Sequence, residues 1–332
     1  MSISDHDIIT CVKPDQFWPK LSYTDPIFLT GSCFAEHIGA KLSGYKYNVL
    51  SNPFGILFNP VSIASSFERI EKKEFYSQEE LVLQDGIYHS MDHHGSFSGK
   101  DPKAVVEAIN NAIELSHHHL TTSRFVFISL GSAKVYRYLK TKAIIGNCHK
   151  IPQQLFESFR LTLNECIFAV EKAENSIRVL APEAHIIWTV SPVRHLRDGF
   201  GENQMSKSTL HLAIDEIIKN HLHNGCFPAY EIMIDQLRDY RYYARDLVHP
   251  SPLAIDIIWD IFAGTYLDPL ETSTHEHIEK IQRATEHRFL HDDDEEGRKI
   301  FAARQLKNIE LLELKYPKQN WVQERTYFSQ LK

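Results

Sequence analysis

Pro26-Ile27-Phe28-Leu29-Thr30-Gly31-Ser32-Cys33-Phe34-Ala35 decides how this chain is read. Ile27–Leu29 has the apolar, β-rich character of a buried strand, and Cys33–Ser43 has helical spacing, so Gly31-Ser32 falls at a strand-to-helix turn. Backbone N–H groups at such a turn lack partners, and the helix dipole favours negative charge there. A serine oxygen in that position can attack a carbonyl while nearby amides receive the oxyanion. Serine is also among the preferred N-caps, so Ser32 taken alone fits a plain helix cap as well as a nucleophile.

Working outward, further apolar runs occur at Tyr47–Leu50, Phe125–Leu130, His185–Val190 and Tyr230–Ile234. Segments of helical spacing lie between them at Val61–Lys73, Pro102–Leu120, Gln154–Ala181 and Met205–Asn224. Alternation of this kind predicts a parallel sheet covered on both faces by helices, with ligands at the carboxyl ends of the strands near the topological switch point. The runs end in polar or glycine-bearing turns: Gly31-Ser32, Asn52-Pro53-Phe54-Gly55, Gly131-Ser132 and Ser191-Pro192-Val193-Arg194-His195. Residues Glu79–Gly99 read as an insertion beside or over the sheet, with a lid as one form it can take. Residues 271–332, which include the acidic run Asp292–Glu296, read as a helical extension packed outside a domain spanning 1–270.

With 332 residues and 43% apolar content, the chain can build a substantial core. A net charge of -7 without a basic stripe argues against nucleic-acid partners. Five cysteines, odd in number and free of CxxC pairs, indicate neither a disulfide framework nor a thiolate zinc site. Neither a secretory signal pattern nor a membrane-spanning apolar run is present, which predicts a cytoplasmic protein with no membrane partner.

A second chemical motif lies near the far end of the sheet region. Arg245-Asp246-Leu247-Val248-His249-Pro250-Ser251-Pro252 precedes helical spacing over Ala254–Leu267. An Asp three residues before a His lets the carboxylate hold one imidazole nitrogen while the other faces a nucleophile. Asp246-x-x-His249 alone can also merely cap a helix or tie down a loop.

Taken together, a serine after the first strand and an Asp-x-x-His before the last helix resemble the SGNH (GDSL-type) hydrolases, a flavodoxin-like group of esterases and lipases. The likeness is closer to the GSCFA family, whose five naming residues stand here as Gly31 to Ala35. It is carried further by Asn52 to Pro60, Asn147-Cys148-His149-Lys150, Thr189 to His195 and Tyr240 to Pro250, and spans roughly Phe28 to Phe262. The resemblance implies a three-layer flavodoxin-like fold and a serine esterase. Ser32 would be the nucleophile, His249 the base and then acid, and Asp246 its orienting carboxylate. Gly55 would give a backbone N–H to the oxyanion alongside the N–H of Ser32. SGNH enzymes usually carry Gly-x-Asn after the third strand as a further donor, whereas this chain has Gly131-Ser132-Ala133, so either Ser132 or Asn147 substitutes or the oxyanion hole is weaker. The expected substrate is a small-molecule or glycan ester, with O-acetyl groups on sugars favoured, and no cofactor is required. An acyltransferase using the same triad and a non-catalytic carbohydrate-binding protein are the alternatives.

Other residues invite competing readings. Cys33 starts the same helix and is a rival nucleophile, although a small cysteine there is more often packing. His89, Asp92, His93 and His94 offer metal-ligand types without a metal signature, so no metal site is expected; His93 and His94 fit better as cleft-lining residues. Arg194 and His195 can orient an anionic or hydroxyl-rich substrate.

Overall fold

The computed structural model describes residues 10–221, 223–287 and 295–331; Met1–Ile9 and Asp292–Asp294 of the acidic run lie outside them. At the centre is a five-stranded parallel sheet of β1 (Ile27–Gly31), β2 (Val49–Ser51), β5 (Phe125–Leu130), β9 (His185–Val190) and β10 (Asn224–Cys226), in the order β10-β9-β5-β1-β2. Chain direction across the sheet reverses between β1 and β5, because β1 leads outward to β2 before the chain returns to β5. That boundary is the topological switch point.

Strand alternation explains the two layers packed on the sheet. Phe28, Val126, Ile128, Ile186 and Trp188 point to one face. There they meet α2 (Pro60–Lys72), α3 (Pro102–Thr122), α4 (Leu163–Leu180) and α5 (Phe200–Asn220). Ile27, Leu29, Phe125, Phe127 and Ile187 point to the other, against α1 (Cys33–Gly44) and α7 (Pro252–Tyr266). Caps fix where the helices start: Ser32 for α1, Asn59 with Pro60 for α2, Asp101 with Pro102 for α3 and Ser251 with Pro252 for α7.

The segment expected to be one long helix over Gln154–Ala181 is divided. Its first part forms β8 (Phe156–Arg160), which pairs antiparallel with β6 (Lys134–Tyr138) beside β7 (Ile144–Ile145). Helix α4 begins only after Thr162, where a capping box with Glu165 sets the start. The expected strand Tyr230–Ile234 is also corrected. Ala229, Tyr230, Ile232 and Met233 bury a helical face in α6 (Ala229–Glu231) and the π turn Ile232–Gln236 that follows it. The fifth strand is β10, whose Gly225 pairs with Ile187 of β9.

The insertion contains a hairpin of β3 (Val82–Gln84) and β4 (Ile87–His89), followed by a compact segment tied to the loop after β2. His94 donates its backbone N–H to Phe54 O at 3.0 Å. After α8 (Pro269–Thr272) come α9 (His275–Thr285), α10 (Glu295–Lys315) and α11 (Val322–Gln330). Ile278, Ile281, Ala302, Ile309, Trp321 and Phe328 of this extension are buried in the same apolar cluster as α1 and α7. None of the described helices is long and apolar enough to cross a membrane.

Candidate functional site at the switch point

Ser32 sits where β1 ends, against β5. Gly31 makes this approach possible: its φ is +137°, and a Cβ there would lie 2.2 Å from Ser129 O. Ser32 is extended (φ -67°, ψ 174°), donates its N–H to Ser129 O at 3.0 Å, and caps α1 through Oγ, which accepts Phe34 N–H at 3.2 Å. Ser32 Oγ and Ser129 Oγ are 2.8 Å apart. Both serines are 2% exposed, so Ser32 is buried at the strand end rather than on a surface.

The turn at 246–249 is built around one carboxylate. Asp246 Oδ1 accepts the N–H groups of Val248 and His249 at 2.9 and 3.0 Å, and Oδ2 lies 2.7 Å from His249 Nδ1. These backbone bonds first, then the imidazole, hold the Asp246 carboxyl down at about 2. Leu247 takes a left-handed φ of 58°, which folds the turn back so that Ala244 donates to His249 O at 2.7 Å. Arg194 N–H reaches Val248 O at 3.3 Å, fastening this turn to the loop after β9. The structure brings Asp246 and His249 together in one turn, fastened to the loop that follows β9. Among the described residues, no hydrogen bond joins Ser32 to His249.

The two amides expected to receive an oxyanion are already engaged. Ser32 N–H is bonded to Ser129 O, and Gly55 N–H closes its own turn onto Asn52 O at 2.7 Å. Gly55 instead makes room: with φ +74°, it lies so close to the insertion that a Cβ would be 2.2 Å from His94 Cβ. Ser132 and Asn147 are engaged as well. Ser132 Oγ accepts Lys134 N–H at 2.9 Å and lies 3.2 Å from Ser206 Oγ; Asn147 Oδ1 accepts His149 N–H at 2.9 Å. Asn52, which carries no motif of its own in the sequence, also reaches this strand end. Its Oδ1 accepts Gly31 N–H at 2.9 Å, and its Nδ2 is buried without a partner beside the same strand end.

Helix α5 contributes a second missed group. Ser206 Oγ accepts Ala133 N–H at 2.7 Å, and Asn203 Oδ1 accepts His195 N–H at 2.8 Å. Lys207 Nζ donates to Gly131 O and Ser191 O, both at 2.7 Å. Asn203, Ser206 and Lys207 continue the stripe of Leu210, Ala213, Ile214 and Ile217 that faces the core. Polar residues on an apolar stripe are a readable signal, and this one marks the helix end that clamps the turns after β5 and β9.

The remaining expected residues divide between core and periphery. His93 does not line an open cleft: it is 1% exposed, bonded through Nδ1 to Ser90 Oγ at 2.7 Å, and boxed by Phe54, Tyr76 and Phe97. His94 is half-buried and caps the turn Gly95–Phe97. The His195 ring stacks on Phe58 at 5.4 Å, and Arg194 lies over Phe200 at 5.0 Å. Among the described residues, no group of three His, Cys, Asp or Glu side chains is placed to hold a metal ion. Burial, the largest influence, raises the Cys33 thiol above its ordinary range.

No curated protein matches the chain. The sequence model of the GSCFA family matches residues 26–262, from the start of β1 into α7 and through every element that builds the site. The chain belongs to the GSCFA family.

Proposed function

We propose that this protein is a serine ester hydrolase of the SGNH type, acting through an acyl-enzyme on Ser32. The observation that carries the reading is the pairing of a switch-point serine at a helix start with a carboxylate-anchored histidine turn fastened to the loop that follows β9. The strand order and the packing of helices on both faces agree with the flavodoxin-like layering of SGNH enzymes. O-acetyl groups on carbohydrates are the proposed substrates, by analogy with SGNH enzymes.

In the proposed reaction, His249 Nε2 serves as the base for Ser32 Oγ. Ser32 Oγ attacks the acyl carbon, its proton passes to His249 Nε2, and the carbonyl oxygen becomes an oxyanion. Asn52 Nδ2 and the first turn of α1 supply hydrogen bonds to it. Collapse expels the alcohol, which takes the proton from His249. Water then repeats the sequence on the acyl-enzyme and releases the acid. Cys33 is disfavoured as the nucleophile because burial works against its thiolate. The test is intact-mass analysis after a serine-directed fluorophosphonate. One adduct is expected on the parent and on Cys33→Ala, and none on Ser32→Ala; product analysis with added alcohols separates hydrolysis from acyl transfer.

A further inference from the structure

Lys207 is an unusual residue to find in this place. It is 0% exposed, and its ammonium is held by two backbone carbonyls, Gly131 O and Ser191 O, at the carboxyl ends of β5 and β9. Among the described residues no carboxylate pairs with it. A buried ammonium with only carbonyl partners is costly to keep, and its charge is available to an anion that arrives at the same edge. Gly131 opens the Gly131-Ser132-Ala133 turn, where SGNH enzymes have their asparagine donor and this chain has alanine.

We propose that Lys207 supplies the positive charge that offsets the oxyanion formed on Ser32, in place of that asparagine. The proposal rests on the serine-hydrolase reading of the site. Lys207 acts through space and by fixing the Gly131 and Ser191 turns, which makes it a positioning residue rather than one that touches the acyl group. It remains protonated throughout, and the proton removed from Ser32 goes to His249.

The groups that face Lys207 are Cys33 from α1, His211 one turn along α5, and the ring of Tyr230, 5.7 Å from Nζ; Glu231 lies 3.4 Å from His211. Burial brings the Lys207 ammonium down to about 7, with Cys33 opposing that shift. The pH dependence is therefore distinctive. The free enzyme should lose activity above about pH 7 as Lys207 deprotonates.

The experiment measures the rate of p-nitrophenyl acetate acylation per fluorophosphonate-titratable site, from pH 5 to 9.5, for the parent and Lys207→Met, with thermal melts on both. Lys207→Met is expected to label on Ser32, to acylate about 10²-fold more slowly at pH 6.5, and to lack the alkaline loss. Labelled Lys207→Met that acylates at the parent rate overturns the proposal and leaves the serine reading standing. If Lys207→Met does not fold, the parent profile decides: a rate that stays flat or rises from pH 7 to 9.5 overturns the proposal. A parent that labels nowhere on Ser32 removes both readings together.

Discussion

At the scale of single residues, the proposed chemistry depends on one imidazole being held in one tautomer. Asp246 accepts three hydrogen bonds from its own turn, two from backbone N–H groups and one from His249 Nδ1. Asp246→Asn keeps the shape of the turn but can present an amide N–H to Nδ1, favouring the wrong tautomer for a base at Nε2. Ester hydrolysis is expected to fall by roughly 10³–10⁴ in kcat with little change in KM. Steady-state kinetics on a chromogenic acetate checks this, and a drop below tenfold would make Asp246 a loop tie only. Both halves of this site were legible in the sequence because each is a local motif of a few residues. The oxyanion donors were not. The engagement of Ser32 and Gly55 N–H groups depends on Ser129 and on a turn at Asn52, and neither hydrogen bond leaves a sequence pattern.

At the scale of elements, the insertion is packed against the loop after β2 and against residues 146–149. Gly146 donates to Met91 O at 2.9 Å, and His149 Nε2 lies 2.6 Å from Ser90 O, so the 89–97 segment is tied on two sides. His93 is at the centre of that segment, and burial brings its imidazole down to about 3. The unfolded chain therefore binds a proton below about pH 6.5 that the folded chain refuses until about pH 3. Stability is expected to fall with pH through this window, at up to about 1.4 kcal/mol per pH unit for this one group. Denaturant unfolding of the parent and His93→Asn at pH 4 to 7 checks it: the variant's slope should be flatter by about that amount. The sequence showed His93 as one of a histidine cluster, and only its aromatic neighbours from distant segments reveal a core residue. Strand β8 was hidden for a similar reason. Its partner β6 defines it, and five residues of mixed polarity carry little period of their own.

At the scale of the whole molecule, the family match ends at residue 262, but the apolar core does not. The extension stacks His275 on Tyr45 at 3.9 Å and Tyr316 against Tyr23 at 4.8 Å. It also pairs Glu324 with Lys46, at 2.5 Å between nearly buried side chains. Removing residues 269–332 would uncover the α1 and α7 faces, including Trp259. With six large apolar side chains of the extension lost from the core, at about 1.5–3 kcal/mol each, the truncated chain should not fold as a stable monomer. Thermal unfolding and gel filtration test this; a soluble truncated chain with the parent's melting temperature would make the extension a mere appendage. The α/β alternation and four of the five central strands could be read from apolar runs, because buried parallel strands are nearly continuous in hydrophobicity. The extension's apolar spacing was equally visible, but its docking partners on α1 and α7 were not.

If Ser32 is the nucleophile of an acyl-transfer site, it alone should carry the label of a serine-directed reagent. Intact-mass measurement of fluorophosphonate labelling on the parent, Ser32→Ala and Cys33→Ala tests it most directly. A single adduct is expected on the parent and on Cys33→Ala, and none on Ser32→Ala. Labelling that persists in Ser32→Ala and disappears in Cys33→Ala, or no labelling of any form, would contradict it.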